Sequence, residues 1–359
     1  MQHVQKKVKN FEITSKYFLD VQGYDKVEVV VLDPKCYPQG GPLWTALRRL
    51  CVLNGSKTPD MFSVGYDSLN ALFCSVAVPA SSWIPRTPTP TDSYKNRAMS
   101  HGSKHEPQAN AFFMKFMKAQ HSKTRSCYRE AILKETTIHL MNIPGFNPPP
   151  FERRFTLGDT PDGILVASDG WTIGVLETKC PYSNTTWKLK WPKTQWLIQL
   201  LTHMLVTKAT KGFINMYYPK KTAKDGNEYP EDCSVWEVNI PRSSQLFVML
   251  LKVIESFMRT IQSNKSTSMW ESEFRRDSMG HIAEVLSALS LNPDVKDEYV
   301  ELRGILSYDR GDSAQDIEKK CYGSIRRLRQ CGRREGKPEV KKSTRKITKE
   351  DLAIWNITG

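Results

Sequence analysis

Residues 158–182 read GDTPDGILVASDGWTIGVLETKCPY, and the reading of this stretch decides the fold. Gly163 to Ala167 is a short apolar and β-branched run, Ser168-Asp169-Gly170 is a turn, and Trp171 to Thr178 is a second run, so the stretch predicts a β-hairpin. Strand side chains alternate with a period of two, which puts Ile173, Val175, Glu177 and Lys179 on one face. Glu177 and Lys179 close a largely apolar strand, and charges there need partners because burying an unpaired charge is costly. Asp162 stands at the entrance of the first arm. Alone, its hexapeptide Gly158-Asp159-Thr160-Pro161-Asp162-Gly163 is an ordinary turn; facing Glu177 across the hairpin, it is a second carboxylate for the same place.

Two such carboxylates would converge on a divalent cation. Hard oxygen donors point to Mg²⁺, with Mn²⁺ as a substitute, and the backbone carbonyl of Thr178 would complete the coordination. Metal ions held in this way neutralise a phosphodiester, generate hydroxide and stabilise the departing oxygen, while a lysine beside them orients or deprotonates water. Glu106, in Gly102-Ser103-Lys104-His105-Glu106-Pro107-Gln108-Ala109, is a third acidic candidate, although a helix glutamate is usually just solvated. Gln195, Gln199 and His203 form an i, i+4, i+8 stripe on the helix that follows Pro192. Buried hydrogen-bonding groups explain that stripe, and so does a phosphate-facing surface beside the charged strand.

Around this centre the pattern is mixed. Lys26 to Leu32 reads as a strand, Leu43 to Leu53 as a short helix, and Pro79 to Asp92 as an extended crossing. Met99 to Met117 reads as a helix with Ala109, Phe112, Phe113 and Phe116 on its apolar side. Glu130 to Leu140 reads as a strand and Pro144 to Pro150 as an irregular connection. The helix opened by Pro192 runs to about Thr207, followed by a strand over Gly212 to Tyr218 and a long helix over Ser243 to Ile261. Ile317 to Arg334 reads as a basic helix, and 13 Lys or Arg fall between Lys319 and Lys349. That run is a solvated tail, a nucleic-acid-binding segment or a nuclear-import segment.

Composition agrees with a polyanionic partner. The 52 Lys and Arg against 38 Asp and Glu give a formal charge of +14, which favours nucleic acid over an anionic membrane surface. The eight cysteines are scattered without a Cys-x-x-Cys pair, which argues against structural zinc and for reduced thiols. No apolar run suits a secretory signal or a membrane span, so the chain is expected to be soluble and intracellular, in nucleus or cytoplasm, with no membrane partner.

Gly102…Glu106…Ala109, then Thr160-Pro161-Asp162-Gly163, then Glu177-Thr178-Lys179-Cys180-Pro181-Tyr182, then Trp196-Leu197-Ile198-Gln199 resembles the phage lambda exonuclease family. That family includes the YqaJ-type viral recombinases, within the PD-(D/E)xK nuclease superfamily, and is related to herpesvirus alkaline nucleases. The resemblance covers roughly residues 95 to 220. It implies an α/β fold: a central mixed β-sheet flanked by helices, a restriction-endonuclease-like core, with N- and C-terminal helical additions. The expected organisation is an N-terminal extension (1–94), the nuclease core (95–262), a helical region (263–318) and a basic segment (319–359). Activity is expected to be 5′-to-3′ resection of linear duplex DNA with two Mg²⁺ ions. By the resemblance, Asp162 and Glu177 are the main metal ligands, joined by the Thr178 carbonyl and Glu106. Lys179 positions water, and Gln199 matches the family's helix glutamine. Arg97, Ser100, His101 and Gln195 contact DNA. Duplex DNA with a 5′ end is the expected partner, with a single-strand annealing protein beside it, and a monomer is favoured over a ring trimer. An endonuclease on DNA or RNA with the same core, or a non-catalytic nucleic-acid-binding module, are the alternative readings.

Overall fold

The computed structural model describes residues 11–77, 90–120, 128, 130–146, 154–182, 191–222, 228–229, 231–263, 266–290, 299–303 and 321–329. Two mixed sheets organise them. The first joins β1 (Ile13–Phe18), β2 (Glu28–Leu32), β3 (Cys51–Asn54), β5 (His139–Asn142) and β6 (Phe155–Asp159) in the order β1-β2-β5-β6-β3, with only the β3–β6 pair parallel. The second joins β4 (Ile132–Lys134), β7 (Gly163–Val166), β8 (Thr172–Lys179), β9 (Lys211–Tyr218), β12 (Asp232–Asn239), β13 (Tyr299–Arg303) and β14 (Cys321–Arg329). Its order is β13-β14-β12-β9-β8-β7-β4. A small ribbon pairs β10 (Lys221–Thr222) with β11 (Glu228–Tyr229). The helices are α1 (Pro42–Arg49), α2 (Thr58–Met61), α3 (Leu69–Ala77), α4 (Pro90–Gln120), α5 (Thr194–Thr207), α6 (Gln245–Gln262) and α7 (Thr267–Leu289). The expectation of an α/β chain with a mixed sheet between helices is met.

The hairpin read from residues 158–182 is β7 and β8, and the crossover that follows positions everything else. A parallel partner cannot be reached by a tight turn, so the chain leaves β8, runs through α5 and returns as β9 beside β8. Trp196, Leu197, Ile198, Leu200, Leu201, Met204 and Leu205 are all buried, so α5 is apolar on most of its circumference and lies inside the molecule. Gly212 lets it approach β9 closely, since a Cβ there would lie 2.8 Å from Met204 Sδ. Together α5, α6 and α7 share a core with Val175, Ile214, Met216, Trp236 and Val238. On the opposite face, Phe113 and Met117 of α4 pack with Leu165, Leu176, Phe213 and Val235. β8 is therefore covered on both faces.

Several local readings are corrected. Ile173 leaves the Val175 face, because the β7–β8 register shifts between Leu165 and Val166; it joins Leu176 on the α4 side instead. The segment from Leu43 is a helix only to Arg49, and Cys51–Asn54 is a strand, buried at Cys51, Val52 and Leu53. The span Glu130 to Leu140 divides into β4 and the start of β5, which belong to different sheets. The terminal additions supply strands as well as helices: β1, β2 and β3 pair with β5 and β6, while β13 and β14 extend the larger sheet. Cys321–Arg329, read as part of a basic helix, is a strand. Its Tyr322 and Ile325 face the same core three residues apart because the register shifts against β13, whereas Leu328 alternates to the other face. Its charges are accommodated in the sheet: Arg326 lies 3.5 Å from Glu237, and Arg327 stacks over Trp236 at 4.4 Å. The extended crossing expected over Pro79 to Asp92 gives way at its end to helix, since α4 begins at Pro90; residues 79–89 and most of the basic run at 319–359 lie outside the described residues.

Candidate active site

The site forms where β8 ends. Asp162 precedes β7 by one residue, and its Oδ2 accepts a hydrogen bond from the Thr178 amide at 2.7 Å, locking the hairpin arms together. Glu177 is 1% exposed, with Lys179 Nζ in ion-pair contact with its Oε1. Lys179 also donates to Gln199 Oε1 at 3.1 Å. The lysine thus bridges strand and helix beneath a partly open surface, its side chain 22% exposed.

A second helix closes the other flank. Glu106 lies on α4, half-buried and near enough to act electrostatically on Asp162. The helix is tied to the sheet by polar bonds: the Thr178 hydroxyl donates to Asn110 Oδ1 at 2.8 Å, and Asn215 Nδ2 donates to the Ala109 carbonyl at 3.1 Å. Pro107 lies inside α4 immediately after Glu106 and supplies no amide to the carbonyl one turn back.

Behind Glu177 lies a contact the sequence did not reveal. His203 is 1% exposed, with Nε2 2.7 Å from Glu177 Oε2 and Nδ1 2.7 Å from Asp159 Oδ2. His203 stood in the helix stripe and Asp159 in the turn hexapeptide, but nothing in either motif pairs them. Asp159 ends β6, and only the sheet pairing brings β6 beneath α5.

Electrostatics divide these groups. Burial raises Asp162 well above the usual carboxylate range, and the charges of Glu177 and Glu106 add to that. Glu106 is raised for the same reasons, burial first and then Glu177. Burial would raise Glu177 as well, but Lys179 and His203 outweigh it and hold the group down at about 2. His203 is pushed up to about 10: burial works against its charge, and Asp159 and Glu177 overcome it. Lys179 is raised by Glu177 and Asp162 against the effect of burial. Cys180, next in sequence, is held as a thiol at about 12 by burial and then by Glu106 and Asp162.

The structure thus gathers Glu106, Asp162, Glu177, Thr178, Lys179 and Gln199 around one spot. The other residues expected to contact DNA are spread along the flanking helices. Arg97 and Ser100 are exposed on α4, and His101 is half-buried, its ring 5.3 Å from that of Tyr182. Gln195 is half-buried one turn before Gln199 on α5.

The donor set fits a hard divalent cation. Three carboxylates crowd a partly buried spot, where Glu177 stays ionised and raises the other two, Cys180 is held protonated, and both nitrogens of His203 are engaged. Their oxygens do not all close to within 4.8 Å of one another; among the described residues only the ligand atoms of Glu12, Asp33 and Cys36 do, beside the β1–β2 pair. Instead Lys179 is the cation that Glu177 holds. Among the described residues no helix is long and apolar enough to cross a membrane.

Residues 44–210 match the model of the YqaJ-like viral recombinase domain, as the motif string led us to expect. No curated protein matches significantly. Among solved structures, the chain is similar to an alkaline exonuclease from Laribacter hongkongensis at 19% identity and TM-score 0.36, covering 65% of this chain and 94% of that one. The same enzyme in complex with dAMP gives 20% identity and TM-score 0.37, covering 66% and 97%. Neither superposition is close enough to carry an inference about activity.

Proposed function

With the YqaJ-like match over residues 44–210 as premise, we propose that this chain is a metal-dependent nuclease that resects linear duplex DNA from its 5′ ends. The observation that carries this reading is the crowding of Glu106, Asp162 and Glu177 around Lys179 at the end of a strand buried on both faces. Carboxylates held at such cost, with a lysine among them, mark a site kept for chemistry rather than for stability.

Glu106, Asp162, Glu177 and the Thr178 carbonyl would hold Mg²⁺, or Mn²⁺ in its place, in one or two positions. Bound there, the cation neutralises the phosphodiester and lowers the pKa of water. Lys179 holds its proton firmly between Glu177 and Asp162, so it orients water and faces the developing negative charge as a cation. Gln199 fixes that ammonium from α5 through its 3.1 Å bond. Arg97, Ser100, His101 and Gln195 would meet the DNA on either side, helped by the chain's net charge of +14. We take the acting unit to be a monomer, with a single-strand annealing protein as the partner that receives the 3′-ended single strand exposed by resection.

The test uses three DNAs of one sequence with Mg²⁺: a linear duplex with 5′ phosphates, the same duplex with 5′ hydroxyls, and a covalently closed circle. Loss of the phosphorylated linear strand with the circle spared, and no loss with Asp162→Ala, is the expected result. Cutting of the circle would make the chain an endonuclease, and cutting of matched RNA would widen its substrate. No cutting of any substrate, with DNA still bound, would leave a binding module and overturn the proposal.

A further inference from the structure

Asp159, His203 and Glu177 form one hydrogen-bonded line inside the protein. His203 lies one turn after Gln199 on α5, so the helix that fixes Lys179 also carries the ring behind Glu177. Each ring nitrogen is 2.7 Å from a carboxylate oxygen. Carboxylates only accept, so each nitrogen serves as a donor and the ring is a clamped cation. At the far end, Asp159 closes β6, next to β3 in the smaller sheet. Its Oδ1 accepts no hydrogen bond among the described residues and rests against Gly55, where a Cβ would lie 1.6 Å away. Only glycine leaves room for this carboxylate.

A free glutamate side chain samples several rotamers, and a metal ligand that does so binds weakly. In Glu177 one oxygen, Oε2, is committed to His203, while Oε1 faces Lys179. We propose that His203 and Asp159 are positioning residues: they fix the Glu177 carboxylate by its rear oxygen and leave Oε1 to the cation, so that the smaller sheet sets the metal affinity of the larger one. This rests on the reading of Glu177 as a metal ligand.

The experiment compares wild type with His203→Gln, Asp159→Asn, Asp159→Leu and Glu177→Gln. Mn²⁺ affinity is read by electron paramagnetic resonance on the chain without DNA. The Mg²⁺ concentration for half-maximal cleavage and the KM for DNA are measured beside it. His203→Gln should weaken Mn²⁺ binding about 10–100-fold and raise the Mg²⁺ requirement to match, with KM for DNA unchanged. Asp159→Asn keeps an acceptor for Nδ1 and should stay near wild type, whereas Asp159→Leu, matched in shape but without the acceptor, should shift with His203→Gln. Loss of stability alone would not separate the Asn and Leu variants by Mn²⁺ affinity. If the folded His203→Gln protein binds Mn²⁺ as wild type does, or if the two Asp159 variants behave alike, the proposal is wrong. Full cleavage by Glu177→Gln would instead sink the ligand assignment itself.

Discussion

Asp162 and Glu177 lie a hairpin's width apart and have opposite electrostatic fates. Glu177 is stabilised as an anion by Lys179 and His203, whereas Asp162 is destabilised by burial and by Glu177 and Glu106. Neutralising Asp162 therefore relieves repulsion, while neutralising Glu177 takes one of two anionic partners from Lys179 and from His203. We expect Asp162→Asn to keep or raise the thermal unfolding midpoint of the metal-free chain while cleavage falls more than ~100-fold. Glu177→Gln should lower stability, by less than the ~3–5 kcal/mol that a buried charge left with no partner costs, because each cation keeps a second carboxylate. Calorimetry beside the cleavage assay checks both, and an Asp162→Asn chain that melts well below wild type would refute the repulsion. At this scale the sequence was informative where spacing carries geometry: Glu177 and Lys179 share a face because strands alternate, and Asp162 faces them because hairpins fold back. Asp159 was illegible, since its contact with His203 joins the end of β6 to a helix 44 residues further on that no local pattern relates to it.

Among the elements, α4 and β5 each permit a prediction. Asn110 is the side-chain tie between α4 and the Thr178 hydroxyl. Asn110→Ala should cost about 1 kcal/mol in denaturant unfolding and lower activity at limiting Mg²⁺, because Glu106 rides on the same helix. On β5, His139 is buried with Nδ1 3.1 Å from the Thr137 carbonyl, and burial lowers its pKa below the ordinary 6.5. A lowered histidine is neutral in the fold and charges more readily once unfolded. Its stabilising contribution is full above pH ~6.5 and is lost as pH falls through the folded value. His139→Gln should flatten the decline of the unfolding midpoint between pH 7 and pH 5; an unchanged slope would exclude His139 as its source. Long periodic helices such as α4, α5 and α6 were legible from sequence. The short strands β3 and β6 were not, because four or five mostly buried residues fit a helix turn as well as a strand. In β14, register shifts near each end interrupt the alternation.

Over the whole molecule, the first and last described strands are built into the sheets that frame the site. β1, β2 and β3 pair with β5 and β6, and β13 and β14 pair beyond β12. The basic character near residue 326 therefore belongs in part to a structural strand. Ending the chain before Cys321 should abolish cooperative unfolding, whereas removing residues 337–359 should leave it intact and weaken DNA binding with a shallower salt dependence. Equal damage from both truncations would show that the tail, too, is structural. The placing of β14 also has a consequence for how the protein is made. It lies between β12 and β13 although it follows both in the chain, so a growing polypeptide that has already produced β12 presents that strand's outer edge to the cell until residues 321–329 emerge. Valine and tryptophan side chains flank that edge, and an open edge of this kind recruits other strands. During synthesis the nascent chain is at its stickiest after the β7–β8 hairpin is complete, and chaperone demand should peak there.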